Sequence, residues 1–190
     1  MDQFFHVRII ISMILGLGLT HLIRGSVGFI QHPDHKKIYS VHLLWVFYVF
    51  LLLIHFWWWE YHLKTLPQWF FYDYFFIICY ILIFYMICAI LYPDDLEGYK
   101  GYEDYFYSRK KWFFGLLAIC FTADLVDTAI KGMNYFLRVN TEYYLRFIIH
   151  VFLFFMAMRT DNKKFHTGLV IVLILYEMSY ILRFYNTELQ

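Results

Sequence analysis

Two long apolar runs decide what this chain can fold into. Residues 38–60 and 69–91 each contain a single acidic residue and neither lysine nor arginine. A helix that crosses a bilayer needs roughly 20 predominantly apolar residues. Hydrophobic residues make up 62% of the chain and charged residues 16%, whereas soluble domains are about 45–50% apolar and about 25% charged. We therefore expect an integral membrane protein that contacts the lipid bilayer and carries no appended soluble enzyme domain.

Four further apolar runs complete the expected fold, an all-α polytopic membrane protein with a compact bundle of about six transmembrane helices. The bundle forms a single transmembrane domain over residues 1–190. The predicted spans are 7–30, 38–60, 69–91, 112–134, 143–159 and 166–184. A bundle of five spans is the alternative, because the fourth run is polar in its second half and the fifth is short. All three prolines fall between the predicted spans, where a helix breaker is tolerated.

The distribution of basic residues predicts the orientation of the bundle. With six spans, ten of the 16 Lys and Arg residues lie in or beside the first, third and fifth loops. Cytoplasmic loops are enriched in these residues, so the longest loop, 92–111, is expected in the cytoplasm and both termini outside. The compact loops and the richness in Phe, Tyr, Ile and Lys favour a bacterial inner membrane. A net charge of +1 without a long basic run excludes nucleic acid as an expected partner.

Ionisable side chains recur within the predicted spans, where a charge costs roughly 2.5–3.5 kcal/mol. Asp124, Asp127 and Lys131 share one face of the fourth span, and Arg146 and His150 share one face of the fifth. Counting about 1.5 Å of rise per residue gives each side chain a depth. Asp127 and Arg146 fall at one depth, and Asp124 and His150 at another. These two pairs are the expected intramembrane partners.

The same depth count predicts a polar vestibule that opens to the outside and narrows inward. The candidate ion or proton path comprises Asp124, Asp127, Glu177, His150 and Arg146. A secondary vestibule group comprises His55, Glu60, Asp73 and Lys131. The inner half is poorer in polar groups and contains His21, Arg24 and His42. Two alternatives remain open: the charged pairs only fix helix packing, or the helix boundaries are misplaced and the charges are interfacial.

These patterns predict an ion or proton channel or transporter. The first alternative is a non-transporting sensor or effector subunit that docks a protein partner through loop 92–111, which is rich in acids, bases and tyrosines. The second is an intramembrane haem enzyme or lipid-acting enzyme. The histidine spacing does not supply paired haem ligands, and no phosphate-binding loop or nucleophile motif occurs. No metal or cofactor is expected, and enzymatic activity is the less favoured interpretation.

Small residues form a stripe on the first span. Gly18, His21, Gly25 and Gly28 lie along one side of this helix. Small residues let helix backbones approach closely, so the stripe predicts either packing within the bundle or a contact between subunits. We expect a homo-oligomer, because a bundle of this size has little interior of its own.

Overall fold

The computed structural model describes residues 3–31, 38–66 and 68–184 and confirms the all-helical membrane bundle. Six helices are long and apolar enough to cross a membrane within these ranges. The helices are α1 (Gln3–Gln31), α2 (Ser40–Trp59), α3 (Phe71–Leu91), α4 (Tyr102–Ile130), α5 (Met133–Arg138), α6 (Thr141–Arg159) and α7 (Lys163–Phe184). A 3-10 turn, Glu60–Thr65, extends α2. All the α-helices except the short α5 are candidate spans.

Successive long helices are antiparallel, so the two ends of the bundle contain different helix termini. At one end, Glu60 after α2 contacts Lys131 after α4. We call this end the amino-terminal face, since the cavity beside Glu60 is also lined by the start of α1. At the other end, the start of α2 contacts the start of α4 through the rings of Tyr39 and Phe106. We call this second end the loop face.

Helix α2 occupies the centre of the bundle. It packs against α1, α3, α4 and α7, while α1 packs mainly on α3, and α4 packs between α3 and α6. The backbones of α6 and α7 approach each other at few points. Long side chains join these two helices instead, including the exposed Arg183 of α7, which bonds Glu142 of α6 at 2.6 Å.

The small-residue stripe of α1 packs against α3 within the chain. A Cβ atom on Gly25 would lie 2.2 Å from the ring of Tyr92, and one on Gly18 would lie 3.2 Å from the sulfur of Cys88. Tyr92 is held in place because Ser26 hydrogen-bonds its hydroxyl and His21 donates to its carbonyl, each at 2.9 Å. At Gly18 and Gly25, the stripe therefore serves helix packing.

Helix α4 begins ten residues earlier than the apolarity of the sequence predicts. The first helical residues follow Gly101, whose φ of 143° favours glycine. Glu103 and Asp104 lie in the first turn, where acidic side chains interact favourably with the helix dipole. Tyr102, Tyr105, Phe106 and Arg109 recur at helical spacing, and the second half of loop 92–111 forms the first turns of α4.

Candidate functional site

A buried carboxylate joins three helices near the amino-terminal face. Glu177 of α7 is fully buried. One of its oxygens accepts a hydrogen bond from Nδ1 of His55 on α2, and the other accepts from Nη2 of Arg146 on α6 at 2.8 Å. The guanidinium of Arg146 also lies over the rings of Tyr180, at 4.7 Å, and Phe121, at 5.3 Å. Glu177 thus connects α2 and α6 to α7 through charge-assisted hydrogen bonds.

A second buried ion group lies beside the first. The ammonium of Lys131 donates to Oε1 of Glu60 at 2.8 Å and to Oδ2 of Asp127. All three side chains are 7% exposed or less. The second oxygens of the two carboxylates, Oε2 of Glu60 and Oδ1 of Asp127, are buried and accept no hydrogen bond. One ammonium therefore forms ion pairs with two buried carboxylates.

A small cavity lies at the same level of the bundle, between α2, α3, α4, α6 and α7. Its volume is about 40 Å³, and its walls include His55, Arg146 and Asp124. Such a volume has room for about two or three water molecules. Asp124 is half-buried, has no ion-pair partner among the described residues and accepts a hydrogen bond of 3.4 Å from Tyr80. Asp124 is therefore the carboxylate of this region that meets the cavity without a cationic partner.

Eight ionisable side chains near the amino-terminal face form a group that we call the polar cluster. They all lie within about 14 Å of the amino-terminal face along their helices, at 1.5 Å per residue. The polar cluster comprises His55, Glu60, Asp124, Asp127, Lys131, Arg146, His150 and Glu177. The predicted path residues Asp124, Asp127, Glu177, His150 and Arg146 are thus brought to one region, together with three of the four predicted secondary residues.

The charges of the polar cluster do not balance. It contains four carboxyl groups but only one lysine and one arginine. If every carboxyl group were ionised and both histidines were neutral, two negative charges would remain in a region of low dielectric constant. Isolated buried charges are strongly disfavoured. Protons, a bound cation or water at the half-buried Asp124 therefore offset this charge.

His150 contributes a buried imidazole to the polar cluster. Its Nδ1 lies 2.7 Å from the backbone carbonyl of Arg146, which only accepts, so Nδ1 carries the proton. Its Nε2 is buried without a hydrogen-bond partner. The ring stacks on Phe121 at 4.7 Å. His150 is thus a buried base whose second nitrogen is unoccupied.

An aromatic layer separates the polar cluster from the loop face. It consists of Trp45, Tyr48, Phe113, Phe114 and Phe154, each 2% exposed or less. The Trp45 ring packs against Phe113 at 5.4 Å and Phe114 at 5.0 Å, both edge-on. This layer lies between the cavity of about 40 Å³ and the loop face.

The ion pairs differ from those predicted from depth alone. Asp127 pairs with Lys131 and Glu60, and Arg146 pairs with Glu177. The reason is the direction of helical side chains, which lean toward the start of their own helix. Lys131 therefore reaches back one turn to Asp127, and the more distant Arg146 is left to the carboxylate of α7.

The remaining predicted polar residues lie outside the polar cluster. Asp73 caps the start of α3 by accepting from the backbone N–H of Phe70 at 3.1 Å. Arg24 is exposed on α1. His42 is buried at the loop face, where its ring contacts Tyr92 and Tyr102 at 5.0 and 4.7 Å. His21, which bonds Tyr92, belongs to the same end of the bundle.

Several side chains of loop 92–111 are used within the chain itself. Tyr105 donates to the carbonyl of Ile90 at 2.8 Å, and Arg109 donates to the hydroxyl of Tyr99 at 2.7 Å. The Lys110 ammonium reaches the α6–α7 turn, where its hydrogen bond holds the pKa of the exposed Asp161 carboxyl below its ordinary value. These contacts reduce the part of the loop that could dock a partner.

Sequence reasoning missed the tyrosines that surround Asp124. The hydroxyl of Tyr143 donates to the backbone carbonyl of Asp124 at 3.0 Å, and Tyr80 donates to its carboxylate. Tyr180 packs on Arg146. With 18 tyrosines in the chain, composition alone could not single these out. The available signal was their depth, which is that of the charged residues they contact.

The fold and the polar cluster define this protein as a multi-pass α-helical membrane protein with a buried, charged interior near one face. No group of three or more His, Cys, Asp or Glu side chains suited to a metal ion occurs within residues 3–31, 38–66 and 68–184. No protein-family model, no curated protein and no solved structure matches the chain. The functional argument therefore depends on the chemistry of the polar cluster.

Proposed function

We propose that this protein is a proton-binding membrane transporter whose working site is the polar cluster. The observation that carries the proposal is the charge imbalance, since four carboxyl groups face only one lysine and one arginine. Even if His55 is protonated in its contact with Glu177, one carboxyl group still needs a proton or a bound cation. Intramembrane acids and histidines of this kind are typical of proton relays in pumps and transporters.

Each group has a distinct part in this proposal. Asp124 exchanges protons with the water that the cavity admits, because it is the carboxylate without a cationic partner. Asp127 and Glu177 each provide a negative charge to one of the two ion groups. Arg146 changes the proton affinity of Glu177 through their 2.8 Å contact. His150 offers its unoccupied Nε2 as a neighbouring proton acceptor.

The packing favours a transporter over an open channel. The aromatic layer lies between the polar cluster and the loop face, and its side chains are 2% exposed or less. Passage through the bundle therefore requires the helices to move. The ion groups connect α2, α4, α6 and α7, so a change of protonation alters the contacts between these helices. Such a coupling lets proton binding at one face drive a rearrangement.

The orientation and the membrane in this proposal are those predicted from the sequence. With loop 92–111 in the cytoplasm, the polar cluster faces the outside of a bacterial inner membrane, and the protein takes up protons or a small cation from that side. Assembly into a homo-oligomer remains part of the proposal.

Proton flux into proteoliposomes tests this function. The purified protein is reconstituted with a pH-sensitive dye inside, and a potassium diffusion potential drives uptake. We expect Asp124→Asn to abolish or strongly reduce the flux while its melting temperature in detergent stays near that of the wild type. Asp94→Asn removes an acid from the exposed loop and is the matched control, which should retain flux.

Two outcomes contradict the proposal. One is an Asp124→Asn variant with undiminished flux, and the other is a parallel loss of folding and flux, which would assign Asp124 a structural role.

A further inference from the structure

A second cavity lies at the amino-terminal face, outside the polar cluster's own cavity. Its volume is about 240 Å³, and it is formed by the start of α1 and by the end of α2 with the following turn. Its walls are mainly apolar and aromatic, with Phe4 and Ile11 on one side and Trp57 on the other. Two charged residues, Arg8 and Glu60, also line it. The cavity therefore combines a large apolar surface with one cation and one anion.

The two charged residues have unused binding capacity. The Arg8 guanidinium is exposed, lies 5.6 Å from the ring of Phe5 and has no acidic partner among the described residues. Glu60 is 3% exposed. One of its oxygens binds Lys131 at 2.8 Å, and the other accepts no hydrogen bond. A ligand in this cavity could thus bind an anion at Arg8, and a donor group that displaces the packing over the buried Oε2 of Glu60 could hydrogen-bond there.

The position of the cavity indicates that a lipid is the ligand. Arg8 lies about 7.5 Å along α1 from its first residue, and tryptophans such as Trp57 are typical of the membrane–water interface. Trp57 is 57% exposed, so this wall of the cavity meets the surrounding lipid. Ile11 lies about one turn deeper than Arg8 and provides a surface for an acyl chain.

We propose that this cavity binds a phospholipid whose headgroup carries a primary ammonium, the phosphatidylethanolamine type. Its phosphate contacts Arg8, its ammonium donates to the free oxygen of Glu60, and its chains extend past Phe4 and Ile11. A choline headgroup has no N–H to donate, and a glycerol headgroup has no cation. Because Glu60 also binds Lys131, the bound lipid is linked directly to the ion group of Asp127.

Native mass spectrometry of the full-length protein, purified with a mixture of phosphatidylethanolamine, phosphatidylcholine and phosphatidylglycerol of equal chain length, tests the proposal. We expect preferential retention of phosphatidylethanolamine over phosphatidylcholine by about fivefold, which corresponds to about 1 kcal/mol. Retention should fall as the headgroup amine is methylated step by step. This series changes only the lipid and therefore does not depend on the folding of a variant.

Variants separate the two charged contacts. Arg8→Gln should weaken retention of all three lipids, because it removes the phosphate contact. Arg138→Gln removes the same charge from the same face at an exposed site away from the cavity and should have no effect. Glu60→Gln should remove the preference for the primary ammonium without abolishing retention.

Three results would overturn the lipid assignment. The first is equal retention of the ethanolamine and choline lipids. The second is equal loss of binding in Arg8→Gln and Arg138→Gln. The third is a rise in melting temperature with soluble phosphoethanolamine, which has no acyl chains, that equals the rise with phosphatidylethanolamine.

Discussion

Replacement of Arg146 by glutamine should destabilise the bundle strongly. Arg146 is 9% exposed, and it is one of the two side chains that hydrogen-bond the carboxylate of Glu177, which is fully buried. Removing one partner of a buried ion pair costs about 3–5 kcal/mol, because the other charge is left uncompensated. For a chain of this size, 1 kcal/mol shifts the melting temperature by about 2–4 °C. Arg146→Gln should therefore lower the melting temperature by about 6–20 °C.

The chain contains a matched control on the same two helices. Arg183 of α7 pairs with Glu142 of α6, but this pair is exposed at the membrane surface. Exposed pairs contribute about 0–1 kcal/mol, so Arg183→Gln should lower the melting temperature by no more than about 4 °C. Both variants lose one positive charge from an ion pair between the same two helices, and the two pairs differ in burial.

The assay is thermal unfolding of the purified protein in detergent, followed by circular dichroism. The double variant Arg146→Met, Glu177→Met should recover most of the lost stability, because neither charge is then left alone. The Arg146→Gln variant should also gain stability relative to the wild type as the pH falls, since a proton can then neutralise Glu177. Equal effects of Arg146→Gln and Arg183→Gln, or a double variant as unstable as the single one, would refute the buried pair.

Further expectations concern helix packing, the loop face and orientation. Gly25→Ala should cost about 1–3 kcal/mol by overpacking against Tyr92, while Gly16→Ala, which meets open space, should leave the melting temperature unchanged or higher. Lys110→Gln should raise the pKa of Asp161 toward its ordinary value in an NMR titration, because the hydrogen bond that lowers it is lost; an unchanged pKa would show that the contact is absent. In intact cells, a membrane-impermeant maleimide should label Asn134→Cys but not Glu97→Cys, and the reverse pattern would invert the proposed orientation.

The fold was largely predictable because apolarity and length determine which segments can span a bilayer. The early start of α4 at Tyr102 was visible only as helical spacing within a polar loop, since its first turns project beyond the apolar run. The 3-10 turn after α2 left no comparable pattern, because its conformation depends on how the chain leaves the bundle.

The composition of the polar cluster was predictable, whereas its pairing was not. Depth follows from the helical rise, so counting residues placed Asp127 at the level of Arg146 and Asp124 at the level of His150. Which side chains meet depends on the rotation of each helix about its axis, which packing of the whole bundle sets. Depth alone suggested a contact between Asp127 and Arg146, but the structure gives Asp127 to Lys131 and Arg146 to Glu177.

The central claim is that the polar cluster contains a protonated carboxyl group at neutral pH. Infrared spectroscopy of the reconstituted protein tests it directly, because the C=O absorption of a carboxylic acid is separate from that of a carboxylate and shifts in D₂O. We predict a carboxylic acid band at pH 7 that weakens in Asp124→Asn or Asp127→Asn and persists in the control Asp94→Asn. A spectrum without such a band, or a band unaffected by the first two variants, would contradict a proton-binding site in this bundle.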